Sequence, residues 1–183
     1  MEDKTLPNYF EFYGIPLTLS VNVAEVRRIF LENSRKYHPD FHTLSSDDTQ
    51  NQSLELSTLN NEVFNTLTNP DKLLQYVLKI KGLLTEEGNE GKLSPDFLME
   101  MMEINEKIME LEFDPTTALF NAALEAVKGL ETSLEASIGN VLTEWTEDSG
   151  KASELVAAKD YFLKKRYLLR VKENLSKFAS AFE

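Results

Sequence analysis

No cysteine occurs among the 183 residues, which excludes disulfides, thiolate zinc sites and any metal cluster ligated by this chain's own sulfurs. Histidine is almost as scarce, with two residues, His38 and His42. No Gly-rich phosphate loop and no nucleophile motif accompanies them. Positive charge is in deficit: 19 Lys and Arg stand against 31 Asp and Glu, a formal net charge of -12. Nucleic acid is therefore a poor main partner, since phosphate neutralisation needs a basic footprint. No apolar run approaches the roughly 18 residues of a membrane span. The opening Met1-Glu2-Asp3-Lys4 lacks the basic-then-apolar order of a signal peptide, so a cytoplasmic protein is expected.

What remains is an ordinary globular composition, 42% hydrophobic and 27% charged, arranged almost entirely with helical periodicity. Helices are expected over 9–13, 23–37, 48–68 and 70–81. The last of these opens at Asn69-Pro70 and stops before Gly82. From 83 to 93 the periodicity lapses amid Gly88, Gly91, Glu86, Glu87 and Glu90. Ser94-Pro95, Asp114-Pro115 and Asp148-Ser149-Gly150 then punctuate three longer helices, 95–112, 115–145 and 151–182. Short connections favour an antiparallel bundle. The expected fold class is all-α: a first domain over 1–82 built on a helical hairpin with flanking helices, a linker over 83–94, and a three-helix bundle over 95–183.

Within the first domain, Arg35-Lys36-Tyr37-His38-Pro39-Asp40 closes a basic helix with a stiff corner. Pro39 removes an amide donor and pushes His38 out of helical geometry, so the helix must stop near Tyr37. The Asp40 carboxylate is suited to bonding nearby backbone amides in the turn. Upstream, Val23, Val26, Phe30 and Tyr37 share one stripe, whereas Arg28, Glu32 and Arg35 lie opposite at ion-pairing distance. Arg27, Arg28, Arg35 and Lys36 make this a local positive surface in an acidic chain, suited to an acidic partner. An enzymatic use of His38, Asp40 and His42 as a metal or acid-base cluster is the weaker alternative. Pro39 breaks the helical spacing that would align the two imidazoles.

The helix over 95–112 has two faces. Phe97, Met101, Ile104, Ile108 and Leu111 form a core stripe. Met99, Glu103, Glu106 and Glu110 lie nearly opposite, with Leu98, Met102 and Met109 between the two. Thioethers tolerate varied partner shapes, and a carboxylate row steers a basic partner; a solvated bundle face gives the same pattern. In the last helix Val156, Leu163, Tyr167, Val171, Phe178 and Phe182 form the expected core stripe. Leu155, Phe162 and Leu169 form another one rotated away, either partner surface or the seam with a neighbouring helix. Trp145, the one tryptophan, is expected to report on the bundle.

These residues resemble a family. Asn8-Tyr9-Phe10 with Gly14-Ile15, the Lys36-Tyr37 pair before His38-Pro39-Asp40, and Asn61 followed by Phe64, Leu67 and Pro70 are similar to a J domain, the activator module of the seventy-kilodalton heat-shock chaperones. Asn60 takes a position that is usually apolar there. Phe97-Leu98-Met99-Glu100 with Met102, Glu103, Glu106 and Glu110, and Leu73-Leu74-Gln75-Tyr76-Val77-Leu78 before Gly82, extend the resemblance to the HscB-type co-chaperones of iron-sulfur cluster biogenesis. The resemblance implies two partners and no catalysis by this chain. His38, Pro39, Asp40, Arg27, Arg28, Arg35 and Lys36 would engage a heat-shock ATPase chaperone. Leu98, Met99, Met102, Glu103, Glu106, Glu110 and Phe162 would bind the cluster scaffold protein. No cofactor or metal of its own is implied, and no nucleic-acid or membrane partner. A bundle that binds another client or mediates oligomerisation is the alternative.

Overall fold

The computed structural model describes residues 8–38, 47–85 and 91–179. Seven α-helices run through the described residues: α1 (Tyr9–Tyr13), α2 (Val23–Lys36), α3 (Asp47–Leu67), α4 (Pro70–Ile80), α5 (Pro95–Phe113), α6 (Thr117–Glu144) and α7 (Ala152–Ser176). Among the described residues the only β-pairing is an isolated antiparallel bridge between Thr18 and Thr146. None of these helices is long and apolar enough to cross a membrane. The chain divides into two compact units, Met1–Ile80 with Thr143–Gly150, and Lys81–Leu142 with Lys151–Glu183.

Local chemistry sets the helix ends of the first unit. Asn8 caps α1 by accepting from the amides of Phe10 and Glu11, both at 3.0 Å, while the Glu11 carboxylate accepts from the Asn8 amide at 3.1 Å. This reciprocal arrangement satisfies donors that a helix start leaves open. Gly14 ends α1 with φ of 65°, a left-handed conformation that costs glycine little. Asn69 caps α4 through the Asp71 and Lys72 amides, with Pro70 in the first helical position.

The interior of this unit combines apolar packing with one polar knot. α2 packs on α3 and α3 on α4. Val26, Leu59, Val63, Leu67, Leu73, Leu74, Val77 and Leu78 are all buried. Phe30 of α2 stacks on Phe64 of α3 at 4.3 Å between ring centroids. The Asn60 side chain is buried among three helices. Its Oδ1 accepts from the Tyr13 hydroxyl at 2.9 Å, and its Nδ2 donates to the Phe30 carbonyl at 3.1 Å and the Ser34 hydroxyl at 3.0 Å. The polar residue at a usually apolar position is thus fully employed. Between α1 and α4, the Tyr9 ring stacks on Tyr76 at 4.1 Å, and the Tyr9 amide donates to the Tyr76 hydroxyl at 2.8 Å.

Residues Thr143–Gly150 group with this unit, although they lie inside the span 95–183 expected for the bundle. α6 ends at Glu144, so the buried Trp145 lies beyond it. Its carbonyl accepts from the Leu19 amide at 3.2 Å and the Thr18 hydroxyl at 3.0 Å, and the Glu147 amide donates to the Leu17 carbonyl at 2.9 Å. Trp145 therefore reports on the amino-terminal unit, contrary to its expected use as a bundle probe. A side chain at Gly150 would collide with the Trp145 indole, so that position requires glycine.

In the second unit α5, α6 and α7 share one core. Phe97, Met101, Ile104, Ile108 and Leu111 of α5 meet Ala123 and Val127 of α6 and Leu168, Val171 and Leu175 of α7. The Lys172 ammonium bridges both Glu131 oxygens at 2.8 Å, linking α7 to α6. Two boundaries differ from the sequence expectation by more than one residue. α6 begins at Thr117 because the Thr116 hydroxyl, accepting from the Leu119 amide at 3.3 Å, supplies the cap instead of Asp114. α7 ends at Ser176, short of the expected 182. The buried face of α7 is wider than the expected stripe: Val171 is buried and Tyr167 and Phe178 pack against the core as expected, but Leu155, Ala158, Tyr161 and Phe162 are buried as well and Val156 is exposed.

Removing either half of the Asn60 knot leaves a buried polar group unpaired. Asn60→Ala and Tyr13→Phe are each expected to lower unfolding free energy by about 1–3 kcal/mol in urea titrations, with non-additive effects in the double variant. Burial raises the pKa of Tyr13, and burial followed by the neighbouring Glu62 raises that of Tyr9; burial likewise raises that of Tyr76, all from an ordinary value of 10.0. The folded unit holds these protons more tightly than the unfolded chain. Their contribution is therefore complete below pH 10 and lost as pH rises beyond it, so the Trp145 unfolding midpoint should fall as pH is raised above that value.

Candidate interaction surfaces

The first surface is the outer side of α2 and the corner that follows it. The helix starts at Asn22, whose side chain accepts from the Ala24 and Glu25 amides. It stops at Tyr37, the C-cap, whose amide donates to the Asn33 carbonyl at 2.9 Å. Val26 and Phe30 face α3, turning Arg28 and Arg35 away from it. Arg27, Arg28, Arg35 and Lys36 are all exposed, and so is His38. The expected pair forms between Arg28 and Glu32 at 2.7 Å. Lys36 lies 5.1 Å from the centre of the Tyr37 ring, a cation–π distance. Pro39, Asp40 and His42 lie outside the described residues.

The second surface is the outer side of α5. The buried stripe of this helix coincides with the five core residues expected from the sequence. On the other side Leu98, Met99 and Met102 are exposed, together with Glu103, Glu106 and Glu110. Met102 is 62% exposed, so it belongs to the surface and not to the bundle core. α5 carries six acidic residues, Asp96, Glu100, Glu103, Glu106, Glu110 and Glu112, against the single Lys107. Flexible apolar side chains in a negative field form a surface complementary to a basic, partly apolar partner.

Phe162 does not join this surface. It is 6% exposed, with the Arg166 guanidinium 5.6 Å from its ring centre. The stripe of Leu155 and Phe162 is buried seam, and only Leu169 at its end is exposed. Two residues on the α5 surface were missed as candidates in the sequence. Met109 was placed between the faces, and Phe113, four residues further on, was read as lying past the helix end. Phe113 is the last residue of α5 and is 86% exposed. Its signal was available: an aromatic continuing the spacing of Met109 without a core to enter. Among the described residues, no group of three metal-ligating side chains is close enough to hold an ion.

Residues 93–176, the span of α5 to α7, match the family model described as the HSCB C-terminal oligomerisation domain. The Co-chaperone protein HscB homolog of Chromobacterium violaceum is 30% identical over 133 residues, covering 72% of this chain and 76% of that protein. The chain belongs to the HscB family. The Iron-sulfur cluster co-chaperone protein HscB of Mus musculus is 28% identical over 171 residues, which are 92% of this chain and 67% of the mouse protein. The crystal structure of the human co-chaperone protein HscB superposes with a TM-score of 0.68 at 25% identity, covering 95% of this chain and 82% of that one. The all-helical architecture, a J-type unit followed by a three-helix bundle, is that of HscB structures.

Burial separates the two apolar side chains that the sequence grouped together. Phe162→Ala is expected to lower stability by about 3–5 kcal/mol in thermal or urea unfolding followed by circular dichroism. Met102→Ala should stay within about 0.5 kcal/mol of wild type in the same measurement.

Proposed function

We propose that this HscB-family chain is a co-chaperone that stimulates the ATPase of a seventy-kilodalton heat-shock chaperone and delivers the iron-sulfur cluster scaffold protein to it. The observation that carries this reading is the pairing, in one chain, of two exposed and oppositely charged helix faces: the α2 cations ending at His38, and the acidic, methionine-bearing side of α5. Arg27, Arg28, Arg35 and Lys36 attract the chaperone's acidic surface. Each such exposed contact contributes about 0.2–1 kcal/mol, so several act together. His38, with Pro39 and Asp40, forms the contact that triggers hydrolysis.

Leu98, Met99, Met102, Glu103, Glu106 and Glu110 hold the scaffold. Phe162 has no direct part in that contact, because its ring is buried; its role is to support α7. Tethering scaffold and activator in one molecule raises the effective concentration of each at the chaperone, so neither contact needs to be tight. The cluster travels as cargo on the scaffold. A second reading, self-association through the bundle, is favoured by the match to the HSCB C-terminal oligomerisation domain together with the exposed apolar side of α5.

Steady-state ATPase of the cognate chaperone tests the proposal. Stimulation that requires this chain, rises more than additively with scaffold and disappears in His38→Gln is expected. His38→Gln should leave the unfolding midpoint unchanged, because the imidazole is exposed. Absence of stimulation with an active cognate chaperone would overturn the reading. Stimulation without any scaffold effect, in a chain that sediments as an oligomer, would move it to the second.

A further inference from the structure

The exposed large apolar residues are unevenly distributed. Of the eleven among the described residues, five lie on α5: Leu98, Met99, Met102, Met109 and Phe113. Four of the chain's five methionines are on this helix, and Met101 is the one of those four turned into the core. Leu98, Met102, Met109 and Phe113 follow one another at spacings of four, seven and four. That places them in a single line on the helix surface, about 22 Å from first to last. Met99, Glu103, Glu106 and Glu110 flank this line on one side. The apolar line thus outruns the acidic row and ends on an aromatic ring that is almost wholly exposed.

We infer that the partner-binding face of α5 extends to Met109 and Phe113, and that its occupant is a basic amphipathic segment of the scaffold lying along the helix. This rests on the scaffold-delivery reading above and specifies the chemistry of the contact. Apolar side chains of the segment seat along Leu98, Met102, Met109 and Phe113, while its lysines and arginines pair with Glu103, Glu106 and Glu110. Phe113 anchors the far end. Aromatic anchors contribute most of the affinity of such contacts, and flanking charges mainly set the encounter rate and register.

Charge decides between this occupant and a second copy of the chain. Two copies meeting through α5 would bring two acidic rows together, in molecules that each carry a formal net charge of -12. A basic segment neutralises the same row.

The test is binding of the purified cluster scaffold protein to the full chain by surface plasmon resonance, with sedimentation equilibrium of the chain alone. Met109→Ala with Phe113→Ala is expected to weaken binding roughly tenfold, chiefly by faster dissociation, with an unchanged circular dichroism melt. Phe113→Glu, which keeps the site exposed but removes the ring, should weaken it likewise. Glu103→Gln with Glu106→Gln and Glu110→Gln should slow association and flatten its salt dependence. Wild-type binding by the Met109, Phe113 variant, alongside loss of binding by Leu98→Ala with Met102→Ala, would overturn the extension and leave scaffold delivery standing. No binding by the wild-type chain would overturn both. A wild-type dimer that Phe113→Ala dissociates, with scaffold binding unaffected, would assign the face to a second copy and overturn the inference.

Discussion

The amide of Asn60 holds the amino-terminal unit in register. From α3 its side chain reaches two other helices, accepting from the Tyr13 hydroxyl of α1 and donating to the Phe30 carbonyl and Ser34 hydroxyl of α2. Apolar packing alone tolerates small rotations of one helix on another. A buried amide with fixed donors and acceptors does not, because every rotation leaves a desolvated group unpaired. With Phe30 and Ser34 pinned against α3, the remaining positions of α2 follow from the 3.6-residue repeat. Arg28 and Arg35 must then lie outward, and the helix must deliver its C-terminal end, with His38, to solvent.

α5 illustrates the opposite economy. Its inner stripe is ordinary bundle core, joined by α6 and α7. Its outer face keeps leucine, methionine and phenylalanine in water, where each forgoes the stabilisation that burial would give it. Fold stability does not account for that arrangement, since the same helix already buries five large residues. An exposed apolar side of this kind is what the proposed scaffold contact would use. On that proposal, the adjacent carboxylates repel further copies of the chain and attract a partner of opposite charge.

Much of this was legible in the sequence, and the failures have physical causes. The α5 core could be read because its buried residues are large and its outer residues mostly charged, so the hydrophobic arc has clear edges. The first turns of α7 depart from the expectation because the helix carries two apolar stripes side by side, one through Leu155 and Phe162 and one through Val156 and Leu163. Periodicity alone does not choose between adjacent stripes, and Ala158, fully buried, carries too little hydrophobic signal to tip the balance. The α6 boundary moved because both Asp114-Pro115 and Thr116 are competent start signals, and only the hydroxyl of Thr116 is bonded to a first-turn amide. Asn60 stood out in sequence as a departure from the family pattern; its partners lie 26, 30 and 47 residues away and could be found only in the fold.

The association of Thr143–Gly150 with the amino-terminal helices has a consequence for the order in which the molecule is made. The Thr18 hydroxyl meets the Trp145 carbonyl across a separation of 127 residues. During synthesis, α1 to α4 can assemble around Asn60 early, from contacts that are comparatively local. The stretch of Leu17, Thr18 and Leu19 must nevertheless wait, its backbone partners unmade, until two bundle helices have left the ribosome and the chain has turned at Gly150. The amino-terminal unit can therefore begin folding first, yet cannot finish before α6 has been made. Its completion requires the chain through Gly150, with α5 and α6 already made and α7 still to come.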